Sequence, residues 1–148
     1  MILIAYDGSA DADAAIDRAG ALFGAEEATV LTVWEGIVDV LTRSGSGFAL
    51  ANIDYEALDR ASEGEARDRA EAGGERAARA GLKAQGRARA RGDSIADTIL
   101  DEADAVGADA IVMGTRGLTG LKSVLLGSVS HAVLQRADRT VVVVPSPG

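Results

Sequence analysis

Residues 110–136 read AIVMGTRGLTGLKSVLLGSVSHAVLQR, and this stretch decides the fold class. Its first four residues are apolar and predict a short buried strand. A glycine-rich segment follows from Gly114 to Gly127, and residues 128–136 carry a helical pattern. A buried strand, a glycine-rich loop and a helix in this order are typical of α/β proteins, in which ligands bind where parallel strands end.

Four segments outside this stretch predict the remaining strands. Residues 2–6 and 29–34 are apolar and β-branched runs, which favour buried strands. Residues 140–144, TVVVV, predict the last strand of the chain. Residues 82–90, LKAQGRARA, alternate small or apolar with polar residues. Such a pattern predicts a weak strand at a sheet edge.

Helical segments separate the predicted strands. Helical spacing begins after Ser9, after Ser94 and within residues 53–80, where the Gly73–Gly74 pair predicts a disturbance. Residues 35–51 have no clear period and are expected to form a mobile loop. The resulting order is β-α-β-α-β-α-β-α-β. It predicts the α/β class: a doubly wound five-stranded parallel sheet with helices on both faces, which is a Rossmann-like fold.

Bulk composition narrows the possible functions. A chain of 148 residues suits one domain over residues 1–148. The net charge of −8 disfavours nucleic acid and anionic membrane partners. The absence of cysteine excludes disulfides and thiol catalysis. No signal-peptide pattern and no apolar run of about 20 residues is present, so we expect a soluble cytoplasmic protein.

The glycine-rich segment has the spacing Gly-x-x-Gly, nine residues, then Gly-Ser. Backbone N–H groups at a helix N-terminus bind anions, and glycine lets phosphate oxygens approach the backbone or lets φ become positive. Ser128 and Ser130 would add hydroxyl donors. The segment is neither a Walker A loop nor a G-x-G-x-x-G motif. The alternative interpretation is that the glycines serve only a turn and a helix start.

At this point the chain resembles a known family. Residues 107–145, GADAIVMGTRGLTGLKSVLLGSVSHAVLQRADRTVVVVP, together with ILIAYDGS at residues 2–9, look like the universal stress protein family. The glycine spacing is similar to the signature of the ATP-binding branch of that family. The resemblance implies an adenine-nucleotide-binding fold, ATP as ligand and a homodimer.

The resemblance also implies site residues. Asp7 corresponds to a contact on the nucleoside side, and Val33 to a backbone contact with adenine. Ala5 stands where relatives often have proline. The loop and the helix start would contribute the remaining contacts, which are Met113, Gly114, Gly117, Gly127, Ser128, Val129 and Ser130. Among these, Gly117 and Gly127 would shape the phosphate cradle. Arg116 and Lys122 are the basic residues of the loop, and either would neutralise phosphate charge or remain a solvated loop cation.

Other polar residues have simpler interpretations beside the functional ones. Asp7 either caps the turn at Gly8 or accepts hydrogen bonds from ribose hydroxyls. His131 is expected at the surface rather than as a base. Trp34 either lines a base pocket or packs elsewhere. The acidic run at residues 101–104 is expected to be a solvated helix face, so no metal site is predicted, although Mg²⁺ can accompany ATP phosphates.

Three functions remain open from the sequence. The first is an ATP-binding regulatory or stress-response protein. The second is an ATPase or phosphotransferase. Its turnover is expected to be slow, because no activated nucleophile or general base stands beside the loop. The third is a dimeric interaction module that binds no nucleotide. Residues 140–144 form an uncharged β-forming run, and we expect a homodimer joined through this strand at a sheet edge.

Overall fold

The computed structural model describes residues 1–45, 52–117 and 126–146. Its elements in chain order are β1 (Ile2–Ala5), α1 (Ala10–Phe23), β2 (Glu27–Trp34), α2 (Ile37–Ser44), α3 (Tyr55–Arg79), β3 (Lys83–Ala90), α4 (Ile95–Val106), β4 (Ala110–Gly114), α5 (Ser128–Arg136) and β5 (Thr140–Val144). The five strands form one parallel sheet in the order β3-β2-β1-β4-β5. This confirms the predicted fold class, and it confirms that residues 82–90 and 140–144 supply the two edge strands.

The helices cover both faces of the sheet, because each strand buries alternate residues on opposite sides. Ile2 and Ile4 of β1 pack with α1 and α3 on one face. Leu3 packs with α4 and α5 on the other. The chain builds outward from β1 to β3 and then returns to place β4 on the other side of β1. The strand order therefore reverses between β1 and β4, where the carboxyl ends of the two strands leave a crevice.

Short polar side chains start three of the helices. The Ser9 Oγ accepts from the Ala12 N–H at 3.1 Å, and the Ser94 Oγ accepts from the Asp97 N–H at 3.0 Å. Asp54 begins α3 in the same way. Each cap satisfies a backbone donor that has no partner inside its helix, which is worth about 1 kcal/mol. Serine at these points therefore fixes where α1 and α4 begin.

The prediction of a loop over residues 35–51 is wrong for residues 37–44, which form α2. The helix is amphipathic, but none of its residues is buried. Its start is held by a distant residue: the Ile37 N–H donates to Asp59 Oδ1 at 2.7 Å. Gly45 ends the helix in the left-handed conformation. Residues 46–51 of the predicted loop lie outside the described residues.

The predicted disturbance at the Gly73–Gly74 pair is also wrong, because α3 runs without interruption. A Cβ atom on Gly73 would lie 2.7 Å from the Tyr6 ring and 2.8 Å from Val30. A Cβ on Gly74 would lie 3.0 Å from the Gly86 nitrogen on β3. The two glycines therefore let α3 approach the sheet closely, and the gain in packing outweighs their low helix propensity of about 1 kcal/mol each.

Candidate functional site

A cavity of about 300 Å³ lies at the carboxyl ends of β1 and β4, where the strand order reverses. Its walls come from β1, β2, β4, the segment after β4 and the first turns of α1, α4 and α5. The lining residues are Ala5, Tyr6, Asp7, Ala12, Leu31, Val33, Ile95, Ile99, Met113, Gly114, Arg116, Gly117, Gly127, Ser128, Val129 and Ser130. Ligands of open α/β sheets bind at this position.

The structure brings all eleven sequence-predicted site residues together around this one cavity. Five further lining residues were missed. Leu31 lies two positions before Val33, so both point to the same face of β2. Ile95 and Ile99 have helical spacing directly after the Ser94 cap. The positions of these three residues could have been predicted from their spacing in the sequence. Tyr6 and Ala12, in contrast, line the cavity only because of how β1 and α1 are joined.

The N-terminus of α5 supplies the polar end of the cavity. Gly127 is the N-cap residue and offers no side chain to the helix. By helix geometry the N–H groups of Ser128, Val129 and Ser130 have no acceptor inside α5. These donors stand at the positive end of the helix dipole. The Gly127 N–H itself donates to the Thr115 carbonyl at 2.6 Å, which ties the helix start to the end of β4. The arrangement suits an anion.

The described glycines of the loop permit close approach, and none of them has a positive φ. This corrects the expectation that they supply left-handed conformations. A Cβ on Gly114 would lie 2.7 Å from the Asp11 Cβ, and a Cβ on Gly117 would lie 2.6 Å from an Asp7 carboxylate oxygen. A Cβ on Gly127 would meet the Thr115 carbonyl oxygen at 3.2 Å. Steric contact with α1 therefore explains why position 114 is glycine, whereas a side chain at 117 would displace the Asp7 carboxylate and one at 127 would press on the Thr115 carbonyl.

Ser130 has a different function in the structure from the predicted hydroxyl donor. Its side chain is buried, and its Oγ donates to the Gly114 carbonyl at 2.8 Å. A hydroxyl has one hydrogen, and Ser130 uses it in this bond. The donor that Ser130 can still offer to a ligand is therefore its backbone N–H. The hydroxyl fixes the end of β4 against α5. Ser128, by contrast, is exposed beside the cavity.

Asp7 closes the turn after β1, as one of its two interpretations predicted, and it also lines the cavity. Its Oδ1 accepts from the Ser9 N–H at 2.9 Å and so closes the turn after β1. The same carboxylate lines the cavity and lies close to Gly117, where an added Cβ would be 2.6 Å from Oδ2. A carboxylate at the mouth of the crevice can accept hydrogen bonds from ligand hydroxyl groups. The turn also fixes its orientation, because one oxygen is already bonded.

Asp11 organises the segment after β4, and the sequence analysis missed it. Its Oδ2 accepts from the Thr115 Oγ at 3.0 Å and from the Arg116 N–H at 3.1 Å. Ser146 donates its hydroxyl to the same carboxylate at 2.8 Å. The Arg116 guanidinium lies 3.7 Å from Asp11 and also bonds to Ser146. The positive charge of Arg116 is thus partly neutralised by Asp11. Lys122, the other predicted loop cation, lies outside the described residues.

Tyr6 connects the cavity to the packing of α1 and α3. Its hydroxyl donates to Asp13 Oδ1 at 2.9 Å, and Arg76 lies 3.5 Å from the same Asp13 carboxylate. Burial raises the pKa of Tyr6 above its ordinary value, and the hydrogen bond to Asp13 raises it further. The phenol is therefore neutral at physiological pH. It acts as a hydrogen-bond donor that holds the turn after β1 in place.

The remaining predictions for polar residues have mixed outcomes. Glu102 contradicts the predicted solvated face, because it is completely buried and bonds to Arg89 at 2.7 Å. His131 is exposed, as expected. Trp34 does not line the cavity although Val33 does, since successive strand residues point to opposite faces. Within residues 1–45, 52–117 and 126–146, no three His, Asp or Glu residues are grouped to hold a metal ion. No described helix is long and apolar enough to cross a membrane.

The fold and the cavity define a class of protein: a doubly wound α/β protein with a ligand crevice at the switch point of its sheet. The chain belongs to the universal stress protein family, whose sequence profile matches residues 1–145. This family matches the resemblance seen in the sequence.

Two curated relatives share a segment with the chain. Universal stress protein MJ0531 of Methanocaldococcus jannaschii is 48% identical over 52 residues, which is 35% of this chain and 31% of that protein. Universal stress protein YxiE of Bacillus subtilis is 47% identical over 49 residues, 33% of each chain. The matched segment thus spans about a third of the length of these relatives.

Solved structures match over nearly the whole length. MJ0577 aligns with a TM-score of 0.79 and 27% identity, covering 99% of this chain and 96% of that one. A universal stress protein in complex with cAMP aligns with a TM-score of 0.60 and 26% identity, over 99% and 96% of the two chains. The family member of Archaeoglobus fulgidus in complex with dAMP has a TM-score of 0.62 and 21% identity over 97% and 95%, which supports the fold.

Proposed function

We propose that this protein binds ATP in the cavity between β1 and β4 and acts as a nucleotide-dependent regulatory or stress-response module formed by residues 1–148. The observation that carries the proposal is that an α5 N-terminus, open because its N-cap is glycine, and the Asp7 carboxylate line the same cavity. The first suits phosphates and the second suits ribose hydroxyls. Related proteins in complex with cAMP and dAMP support an adenine nucleotide as the ligand.

The cavity divides into two regions with different chemistry. The apolar side chains of Leu31, Val33, Ile95, Ile99 and Met113 stand on the wall formed by β2, β4 and α4. A purine base is planar and largely apolar on its faces, so it fits this region. The phosphates would then lie against the backbone at Gly117 and at Gly127 to Ser130. Mg²⁺ would be coordinated by the phosphates and by water molecules.

One direct experiment tests the ligand class. The protein is purified without added nucleotide, denatured, and the released small molecules are identified by mass spectrometry. We expect an adenine nucleotide in near-stoichiometric amount or, if the site is purified empty, ATP binding by isothermal titration. If no nucleotide is released and ATP does not bind, the nucleotide-binding function is excluded and the dimeric interaction module is the function that remains.

Substituting Asp7 separates nucleoside recognition from phosphate recognition. Asp7→Ala is expected to weaken ATP binding about tenfold, the loss of one charged hydrogen-bond acceptor of roughly 1.5 kcal/mol, and to leave inorganic triphosphate binding unchanged. Isothermal titration with the two ligands measures the difference. Asp7→Asn is the matched control, since the amide oxygen keeps the bond to the Ser9 N–H. Equal losses for ATP and triphosphate would place Asp7 away from the ribose.

We also propose a homodimer joined through β5. This strand is an edge of the sheet, and Val144 accepts from the Thr115 N–H on the β4 side. By alternation, Val141 and Val143 direct their backbone groups outward. Apolar edges of this kind invite pairing, and the same strand of a second copy is the simplest cover.

Val142→Lys is expected to shift the protein from dimer to monomer, because a charge enters the centre of that pairing. Light scattering at several concentrations measures the mass. Thr140→Lys adds the same charge at the exposed start of the strand and should leave the dimer intact. Thermal melts of both variants correct for any loss of monomer stability. A monomeric wild type, or a Val142→Lys variant that stays fully dimeric, would exclude β5 from the interface.

A further inference from the structure

The outer edge of β3 presents unpaired backbone groups over eight residues. β3 is the first strand of the sheet, and among the described strands it pairs only with β2. The N–H groups of Lys83 and Arg91, at its two ends, donate to carbonyls on the β2 side. Because backbone direction alternates along a strand, the N–H and C=O groups of the even-numbered residues face away from β2. These are Ala84, Gly86, Ala88 and Ala90.

Small residues leave this edge accessible. The even-numbered residues are all alanine or glycine, and they point toward α3. An open groove of about 630 Å³ runs along the outer side of α3 and β3. Its small lining residues are Ala70, Gly74, Ala78, Ala84, Gly86 and Ala88, and the charged residues Arg67, Glu71, Glu75 and Arg87 also line it. A strand laid beside β3 would place every second side chain above this groove. Small or medium side chains would fit there without displacing any bulky group.

The opposite face of the same strand carries positive charge. Lys83, Arg87 and Arg89 share the face of β3 on the side of α4, with Gln85 between the first two. The buried Glu102 holds both arginines, with Arg87 Nε at 3.0 Å and Arg89 Nη1 at 2.7 Å. One carboxylate therefore fixes two guanidinium groups, which remain 54% and 39% exposed. Lys83 is exposed and forms no ion pair within the described part of the chain. Counted with Glu102 and with Glu27, which lies opposite Lys83 on β2, the three cations leave a local charge of +1 on this face of a chain whose net charge is −8.

We propose that this edge binds an extended acidic segment of another protein, which joins the sheet as a sixth strand next to β3. Its backbone would pair with the outward groups of β3, and its acidic side chains would alternate in register with the cations. A second copy of β3 is excluded as the occupant because arginine would then face arginine. At physiological salt the Debye length is about 8 Å, so the cations beside the bound segment act on it more strongly than charges farther away on the protein.

The probe is a blocked eight-residue peptide that alternates glutamate and threonine, labelled for fluorescence anisotropy at about 0.15 M salt. We expect saturable binding, and no binding of the lysine–threonine counterpart. Lys83→Glu should weaken the affinity about tenfold, since it reverses an exposed charge in the row. Arg18→Glu is the matched control: the same charge change on the exposed face of α1, which does not contact β3.

Two modified peptides test the strand geometry without altering the protein. N-methylation of alternate residues removes the N–H groups of one edge of the peptide only. We expect one of the two methylation patterns to abolish binding and the other to be tolerated, because a paired strand uses a single edge. Equal effects of the two patterns, equal losses for Lys83→Glu and Arg18→Glu, or tighter binding of a polyuridine oligonucleotide would overturn the proposal. So would a change of oligomeric mass in Lys83→Glu, which would assign the edge to a second copy.

Discussion

Gly127→Val is expected to weaken ATP binding by at least about a hundredfold while the fold is retained. The residue is the N-cap of α5, and its neighbours Ser128 to Ser130 carry the N–H groups assigned to the phosphates. A β-branched side chain there occupies the space through which a phosphate must approach. Its Cβ would also meet the Thr115 carbonyl oxygen at 3.2 Å, a tight contact that shifts the helix start.

The fold should survive this substitution for a stated reason. Gly127 has φ −68°, which any residue adopts, so the change introduces no left-handed strain. Gly92→Val is the matched control outside the cavity, where a new Cβ would meet only the Thr98 hydroxyl at an ordinary 3.6 Å. Isothermal titration measures ATP affinity, and thermal melts without ligand measure folding. ATP affinity equal to that of the wild type would exclude the phosphate cradle at α5.

The same variant distinguishes binding from turnover. If the protein hydrolyses ATP slowly, phosphate release should follow the concentration of wild-type protein and disappear in Gly127→Val. Release that persists in the variant would come from a contaminating enzyme. No release from a wild type that binds ATP would favour the regulatory module over the ATPase.

Gly86→Ala is expected to destabilise the protein by about 3 kcal/mol or more. A Cβ at this position of β3 would overlap the carbonyl group of Ala70 and lie 2.7 Å from the Glu71 nitrogen. Both are backbone atoms of α3, so no side chain can rotate away. The helix must move off the sheet, and the close packing around Gly73 and Ala77 is lost with it.

Gly64→Ala is the matched control for this substitution. Gly64 lies in the same helix α3, and a Cβ there would meet nothing within 4 Å. Alanine should stabilise the protein by about 0.5–1 kcal/mol through its higher helix propensity. Urea unfolding of the three proteins measures the differences. A Gly86→Ala variant as stable as the wild type would show that α3 does not pack on β3 as described.

The local pattern was sufficient for much of the fold. Strand and helix order, both edge strands and the helix starts at Ser9 and Ser94 follow from hydrophobic periodicity and caps, which are properties of neighbouring residues. The failures have one physical source. The start of helix α2 depends on Asp59, which bonds to its first residue and lies 22 positions away. The disturbance predicted at Gly73 was wrong because propensity ignores what packs against a glycine.

The candidate site shows the same difference between local sequence signals and contacts of distant residues. The eleven residues predicted to form it lie around one cavity, because a glycine-rich loop after a strand is a local signal and the carboxyl ends of parallel strands meet at one edge. Their contacts with a nucleotide remain a prediction. Asp11 carried no signal, although it holds Thr115, 104 positions away, and Ser146, 135 positions away.

What the sequence by itself determined about this protein is the order of its elements, the class of its fold and the place of its ligand cavity, since all three depend on short-range periodicity and on the fixed handedness of parallel connections. Only the tertiary structure decided why Gly114 and Gly86 are glycines, and why a carboxylate at Glu102 is buried between the arginines of an edge strand. Those facts depend on which backbone atoms and charges from distant parts of the chain come within a few ångströms. Steric overlap and ion pairing act at that distance in space, whatever the separation along the sequence.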